Sequence, residues 1–247
     1  RLRHRGRGDD APLEGGTMNT ATKPGSSRTA EHTGHDLLRW AQAETLATPR
    51  RRYGLATRLL IVGMDPIYGR SGGFAKYQVL ELVARVPYQS WERIAYLAIS
   101  RVHRDTGLAR RIHERIQESR DQQDNEEWHL LIMSELAARE GTGQGWLRYR
   151  LLPQVVATVY YLLSWLLFLI VPAASYRLNA DFEDHAEHEY MTFVAAHPEL
   201  ETRAWNCPEA AGYGHFASVA DLVRQIGCDE RHHKDESLAR MAEPRLR

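Results

Sequence analysis

The residues best suited to chemistry occur as two copies of one short pattern, Glu126-Glu127-Trp128-His129 and Glu230-Arg231-His232-His233. In each, a Glu and a His stand three residues apart, so on a helix both side chains project from one face, one turn apart. Of the chain's twelve His, His129 and His233 are the two with a Glu three residues before them. A further acidic residue precedes each pair at nearly equal distance: Glu81 lies 45 residues before Glu126, and Glu183 lies 47 before Glu230. The quasi-repeat is Glu … Glu-x-x-His, Glu … Glu-x-x-His. A four-helix bundle uses this donor set to hold two iron or manganese ions, with one Glu from each of two helices and a Glu-x-x-His from each of the other two. Four carboxylates and two imidazoles are hard-to-borderline donors. They suit a pair of irons with open positions better than zinc, whose structural sites favour sulfur or a closed tetrahedron. One Glu-x-x-His alone is more often a surface ion pair than a ligand pair. The offsets leave open an oxidase, a hydroxylase, a desaturase and an iron-storage bundle.

Helices must bring these six side chains together, and the apolar pattern supplies six of them. Residues 36–67 read as a first helix, whose second half pairs basic with aliphatic residues in the manner of a membrane-interface segment or an ordinary core helix. Residues 74–102 read as a second, kinked at Pro87, with Glu81 in its most apolar part. A carboxylate buried there is costly unless a cation or donors meet it, and Arg85 is one turn away. Asp105-Thr106-Gly107 caps a third helix running to about residue 140, with a charged first half and Glu126 and His129 in its second. Residues 178–196 form a fifth helix with Glu183, and residues 217–241 a sixth with Glu230 and His233. Asp229 and His232 form a similar pair, but it faces about 100° away on the helix.

Between the two halves, residues 155–174 contain no charged side chain. That length matches a bilayer crossing. Pro153 and Pro172 flank it and Arg148, Arg150 and Arg177 bracket it, so a span, a helix dipping into one leaflet and a buried bundle helix compete. A single crossing would set Glu81 and Glu126 on the opposite side from Glu183 and Glu230. The expectation is therefore a monotopic helix in one leaflet.

Composition bounds the rest. The 247 residues carry 32 Lys and Arg against 32 Asp and Glu, a formal net charge of zero that gives no reason to expect nucleic acid. Two cysteines, Cys207 and Cys228, are too few for a disulfide framework, and a reducing compartment is the default. Residues 1–35 are basic and poor in large apolar groups, which predicts a disordered tail ahead of a helical domain over 36–247. No apolar segment follows the basic start, which predicts that a secretory signal is absent.

Four stretches are similar to a known family. Leu80-Glu81 with Val83-Ala84-Arg85-Val86-Pro87-Tyr88 resembles the first motif of the alternative oxidases, in their plastid terminal oxidase branch. Asn125-Glu126-Glu127-Trp128-His129-Leu130 resembles the second, Phe182-Glu183-Asp184-His185-Ala186 with Tyr190 the third, and Asp229-Glu230-Arg231-His232-His233 the fourth. The chain departs from the family pattern at Leu82, where Thr is usual. It departs again at Lys76, where Arg is usual and gives bidentate geometry that Lys lacks.

The resemblance implies an all-α, six-helix, ferritin-like di-iron bundle bound to one leaflet, usually as a homodimer. It implies a cyanide-resistant quinol:oxygen oxidoreductase that reduces dioxygen to water with ubiquinol or plastoquinol, without pumping protons. Carried over residue by residue, Glu81, Glu126, His129, Glu183, Glu230 and His233 bind two iron ions, and Tyr190 stands where the family has a redox-active tyrosine. Asn125 and Asp229 orient a ligating His, and Lys76, Leu80, His185, Ala186 and Glu189 fall at or near quinone-pocket positions. The expected location is the cytoplasmic face of a bacterial inner membrane rather than a thylakoid. A quinone-precursor hydroxylase, an iron-binding ferritin-like protein and a metal-free scaffold are the rival readings.

Overall fold

The computed structural model describes residues 34–69 and 72–246, and these contain helices and turns but no strand. Eight α-helices follow in order: α1 His35–Ala47, α2 Leu55–Tyr68, α3 Phe74–Ala84, α4 Val86–Val102, α5 Thr106–Arg139, α6 Leu152–Ile170, α7 Pro172–Ala196 and α8 Val219–Arg240. Helices α3, α5, α7 and α8 form the central bundle. Within it α3 packs on α5 and α7 packs on α8, while α4 and α6 cover one side and α1 lies across α7 and α8. The expected disorder of the N-terminal tail falls outside the described residues, apart from Gly34 and His35 at the start of α1.

The all-α bundle appears as expected, with local differences that have local causes. The first expected helix, 36–67, is two. Thr48 precedes Pro49, which disfavours helical backbone before it and cannot donate to the helix ladder. Thr48 is extended (φ −90°, ψ 129°), and the chain re-enters helix at Leu55. The second expected helix breaks at Arg85, two residues before Pro87, and resumes as α4. The expected fifth helix starts at Pro172 instead of Leu178, because Pro is well tolerated in a first helical turn. The apolar helix accordingly ends at Ile170.

Caps fix the two longest-range placements. Asp105 Oδ1 accepts from Leu108 N at 3.0 Å at the start of α5, and Ser218 Oγ accepts from Asp221 N at 3.1 Å at the start of α8. Each cap stabilises by about 1 kcal/mol and fixes the first turn of a helix that carries a Glu-x-x-His. Gly227 sets the α7–α8 crossing beside the centre. A Cβ there would lie 2.9 Å from Met191 Cε and 3.4 Å from Tyr190 Cβ, so a side chain would first have to displace the end of Met191.

One described helical segment, Trp146–Ile170, is long and apolar enough to cross a membrane, with mean hydropathy 1.7 and 22% of its apolar window buried. It packs on the bundle through Pro153, Tyr160, Ser164 and Phe168. Val155, Val159, Leu162, Leu163, Leu166 and Ile170 face outward. Leu55, Leu59 and Val62 of α2 are exposed too. The C-terminal end of α2 meets the start of this segment, where Tyr68 Oη donates to the Arg148 carbonyl at 2.8 Å. The two helices thus offer one apolar surface flanked by Arg148 and Arg150, on the outside of a bundle that draws residues from both sides of α6.

Candidate metal centre

The four central helices bring all six expected ligands to one point. Glu81 projects from α3, Glu126 and His129 from α5, Glu183 from α7, and Glu230 and His233 from α8. All are buried, and the four carboxylates are 0% exposed. Their donor atoms fall into two groups, each drawn within 4.8 Å and able to hold one ion: Glu81, Glu126, His129 and Glu230, and Glu126, Glu183, Glu230 and His233. Glu126 and Glu230 belong to both groups and are placed to bridge. Glu81 with His129, and Glu183 with His233, are each placed to serve one ion.

The hydrogen bonding divides these side chains into anchored and free atoms. Tyr190 Oη donates to Glu81 Oε1, and Tyr88 Oη donates to Glu183 Oε1 at 2.7 Å. The other oxygen of each, Oε2, has no hydrogen-bond partner, nor has either oxygen of Glu126 or Glu230, nor Nδ1 of His129 or His233. These are eight of the twelve buried side-chain polar atoms without a partner among the described residues. Buried polar groups are almost always satisfied, and a carboxylate in such a place needs a cation. Orphan atoms concentrated on one donor set are what two metal ions would satisfy. The residues fit them.

The electrostatics agree. Burial, reinforced by the charge of Glu230, pushes the Glu81 and Glu183 carboxyls well above the ordinary carboxylate value. Burial opposes the charge on Glu126 too, but His129 and His233 outweigh it and hold that carboxyl below its ordinary value. Burial works against protonated imidazole, yet the surrounding acidic groups outweigh it and raise His129 and His233 well above the ordinary imidazole value. Without metal, protons take the place of the cations.

His129 is oriented from behind. Its Nε2 lies 3.3 Å from Asp229 Oδ2, to which it donates, turning Nδ1 toward Glu230 Oε1 at 3.1 Å and Glu81 Oε2 at 3.6 Å. The same Asp229 oxygen accepts from Tyr213 Oη at 2.6 Å and Asn125 Nδ2 at 3.3 Å. Such contacts fix the ring and tautomer of a ligating His. Burial opposes the Asp229 charge, but the bonds from His129 and Tyr213 hold its carboxyl below the usual range. Of the two residues expected to orient a ligating His, Asp229 meets His129 directly and Asn125 meets Asp229. Tyr213 was not anticipated, and neither was Tyr88. Tyr213 lies in an irregular segment without periodicity. It is positioned by close approach of Gly212 to Trp128, where a Cβ would sit 2.8 Å from the indole.

The expected quinone-pocket residues also converge, on α3 and α7 beside the centre. Leu80 and Ala186 are buried in the same apolar cluster as Tyr190. Lys76, only 5% exposed, donates to Asp65 Oδ1 at 3.1 Å and lies 4.0 Å from Glu189 Oε2. Arg50, from the break between α1 and α2, donates to Glu189 Oε1 at 3.0 Å and to His185 Nδ1 at 2.9 Å. Burial, helped by Arg50 and Lys76, brings the His185 imidazole down to about 4, so it is neutral at ordinary pH. Arg50 and Asp65 went unnoticed in the sequence because they lie in or beside a chain break.

The alternative oxidase family model matches residues 55–240. The chain belongs to the alternative oxidase family. It is 32% identical over 148 residues to ubiquinol oxidase 4, chloroplastic/chromoplastic, of Arabidopsis thaliana, covering 60% of this chain and 38% of that protein. It is 26% identical over 189 residues to ubiquinol oxidase 2, mitochondrial, of the same plant, covering 72% of this chain and 48% of that one. The chain thus spans less than half the length of either relative. Both relatives carry organellar names, so the expected bacterial inner membrane gains no support from them.

Proposed function

We propose that the protein is a membrane-bound di-iron quinol:oxygen oxidoreductase. The observation that carries this reading is the pair of overlapping donor groups sharing Glu126 and Glu230, with eight buried donor atoms that make no hydrogen bond and meet only one another, as in His233 Nδ1 to Glu126 Oε1 at 2.7 Å. When bound, the two irons supply the binding of dioxygen and the redox capacity to reduce it. In this reading Glu81, Glu126, His129, Glu183, Glu230 and His233 are the ligands. Tyr190 and Tyr88 fix the Glu81 and Glu183 carboxylates by holding one oxygen of each. Asp229 holds the proton on His129 Nε2 and leaves Nδ1 for the metal.

The apolar surface of α2 and α6 lies in one leaflet, a monotopic attachment, and admits a lipid-dissolved ubiquinol or plastoquinol. Leu80 and Ala186 pack against its ring. Lys76, His185 and Glu189, with Arg50 and Asp65 behind them, offer donors and acceptors to its hydroxyls, next to Tyr190. A homodimer is part of the same proposal, and its oligomeric state is read by sizing the detergent-solubilised protein.

The test is oxygen uptake by membranes carrying the protein, driven in turn by ubiquinol and plastoquinol, with cyanide present to silence haem oxidases. Uptake that is lost in Glu126→Ala is the expected result, and the better quinol names the substrate. Protein holding two irons but showing no quinol-driven uptake would sink the oxidase reading in favour of a hydroxylase. That enzyme leaves oxygen in an organic product.

A further inference from the structure

A file of buried polar side chains leads away from the centre through α4, α7 and α8, with Phe168 of α6 packed against Tyr176 beside it. It starts at Glu183, whose Oε1 accepts from Tyr88 Oη at 2.7 Å. Asn179 Nδ2 donates to Tyr88 Oη at 2.9 Å and to Ser237 Oγ at 3.1 Å. Asn179 and Ser237 are each 1% exposed, and Asn179 Oδ1 has no partner. Ser237 lines a void of about 10 Å³ together with Ser119, Gln122, Tyr176, Arg115 and Arg240. That is room for one water. Arg115 and Arg240 also line an outer vestibule of about 390 Å³, walled by Glu114, Glu243 and Arg245. From Glu183 to the vestibule, polar groups of α4, α7, α8 and α5 follow one another, with Trp91 also lining the void and Ile112 and Leu246 also lining the vestibule.

Packing alone does not account for this file. Polar side chains in a core lower stability unless paired, and apolar residues of similar volume would fill the same space better. The unpartnered Asn179 oxygen marks a place for a water, and the void reached through Ser237 has the size for one.

We propose that this file is the route by which product water leaves the centre for the aqueous phase, with Asn179 as the side chain that swings to let it pass. The inference rests on the quinol oxidase reading. Two quinols give up four electrons and four protons to one dioxygen, the O–O bond breaks, four O–H bonds form, and two quinones and two waters result. Quinol and quinone travel through the apolar side. Water, formed between buried carboxylates, needs a polar way out.

The experiment fills the void. Ser119→Leu in the full-length protein in membranes is compared with wild type at saturating quinol and oxygen, with iron per chain counted in both. The expected result is two irons retained, an unchanged KM for quinol and kcat lowered by about tenfold or more, since blocked product release sets turnover. A variant with two irons and wild-type kcat overturns the proposal. Should Ser119→Leu not fold or not hold iron, a high-resolution structure of the wild-type protein decides. A water in the void within hydrogen-bond distance of Ser237 Oγ supports the route, and a dry void overturns it. Wild-type membranes that never take up oxygen with quinol overturn the oxidase reading and this inference with it, an outcome distinct from the two results that overturn the route alone.

Discussion

Replacing Tyr88 by Phe deletes one oxygen and leaves in place the ring that packs edge-on against Trp91, centroids 5.3 Å apart. The deleted hydroxyl is the donor to Glu183 Oε1 at 2.7 Å, in a place where Glu183 is 0% exposed and no bulk water can substitute. Losing a hydrogen bond to a buried charged acceptor costs about 1.5–3 kcal/mol. Asn179 Nδ2 keeps its second acceptor, Ser237 Oγ at 3.1 Å, so most of the loss falls on Glu183. That carboxylate is placed to serve one ion and not the other, so the hold on one iron should weaken by about ten- to hundredfold, the usual effect of removing an outer hydrogen bond from a ligand. The assay is stepwise removal of iron by a competing chelator, with iron per chain followed across the titration. Tyr88→Phe should pass through a one-iron stage at chelator concentrations that leave wild type loaded. A folded variant whose two irons leave together, at the wild-type concentration, would refute the division into anchored and free oxygens.

The shared and unshared carboxylates predict a further asymmetry. Glu126→Ala and Glu230→Ala should each hold no iron, while Glu81→Ala and Glu183→Ala should retain up to one, as elemental analysis of the purified proteins will report. The metal-free protein should lose stability as pH rises. Glu81 and Glu183 have folded-state values raised above 4.5, so the stability they contribute is complete below that value and lost as pH climbs through the raised values; His129 and His233 act in the same direction above 6.5. Glu126 and Asp229 are lowered and act the other way only at more acid pH, while His185, lowered to about 4, opposes the trend up to about pH 6.5 as one group against four. Thermal midpoints of the chelated protein at about pH 5 and about pH 8 check this, and a midpoint that rises with pH contradicts it. Finally, Leu162→Glu with Leu166→Glu, both on the exposed face of α6, should cut flotation with lipid vesicles by about tenfold or more without changing iron content. Unchanged flotation would move the membrane surface elsewhere.

How much was legible in the sequence follows the physics of each element. The four side chains of the two Glu-x-x-His pairs were readable because a helix repeats every 3.6 residues, so an i, i+3 pair keeps its meaning without any tertiary knowledge. Glu81 was readable because a carboxylate among Val79, Leu80 and Val83 demands a partner. Tyr88 and Tyr213 were not: a tyrosine's apolar ring suits any core, and where its hydroxyl lands is decided by the crossing of other helices. Arg50 reaches the site from the break between α1 and α2, and Asp65 from the last turn of α2. In that break contacts come from the acidic face of α7, where Asp184 Oδ2 accepts from Arg51 N at 2.9 Å and Tyr53 Oη at 3.0 Å. The Thr48-Pro49 signal was present but was outweighed by the aliphatic pattern on both sides. Hydropathy marked α6 as apolar without distinguishing a helix apolar all round from one packed along a bundle on one side.

The near-repeat in the sequence becomes, in space, two half-sites that cannot work apart. α3 with α5 supplies one unshared Glu, one His and one shared Glu, and α7 with α8 supplies the same set. If two ions are held, each half would lend its shared carboxylate to the other half's ion, and each ion would bind both halves at once. Two divalent cations would balance the four carboxylates, whereas without them like charges face one another in a dry core and only protons relieve the repulsion. Metal binding is thereby folding energy for the whole bundle and not for one helix pair. One anchoring tyrosine crosses the halves, Tyr190 of α7 holding Glu81 of α3, and the other comes from outside both, Tyr88 of α4 holding Glu183 of α7. A shift of one helix pair against the other therefore disturbs Glu81, and the spacing between two bound ions would be set by the packing of the halves.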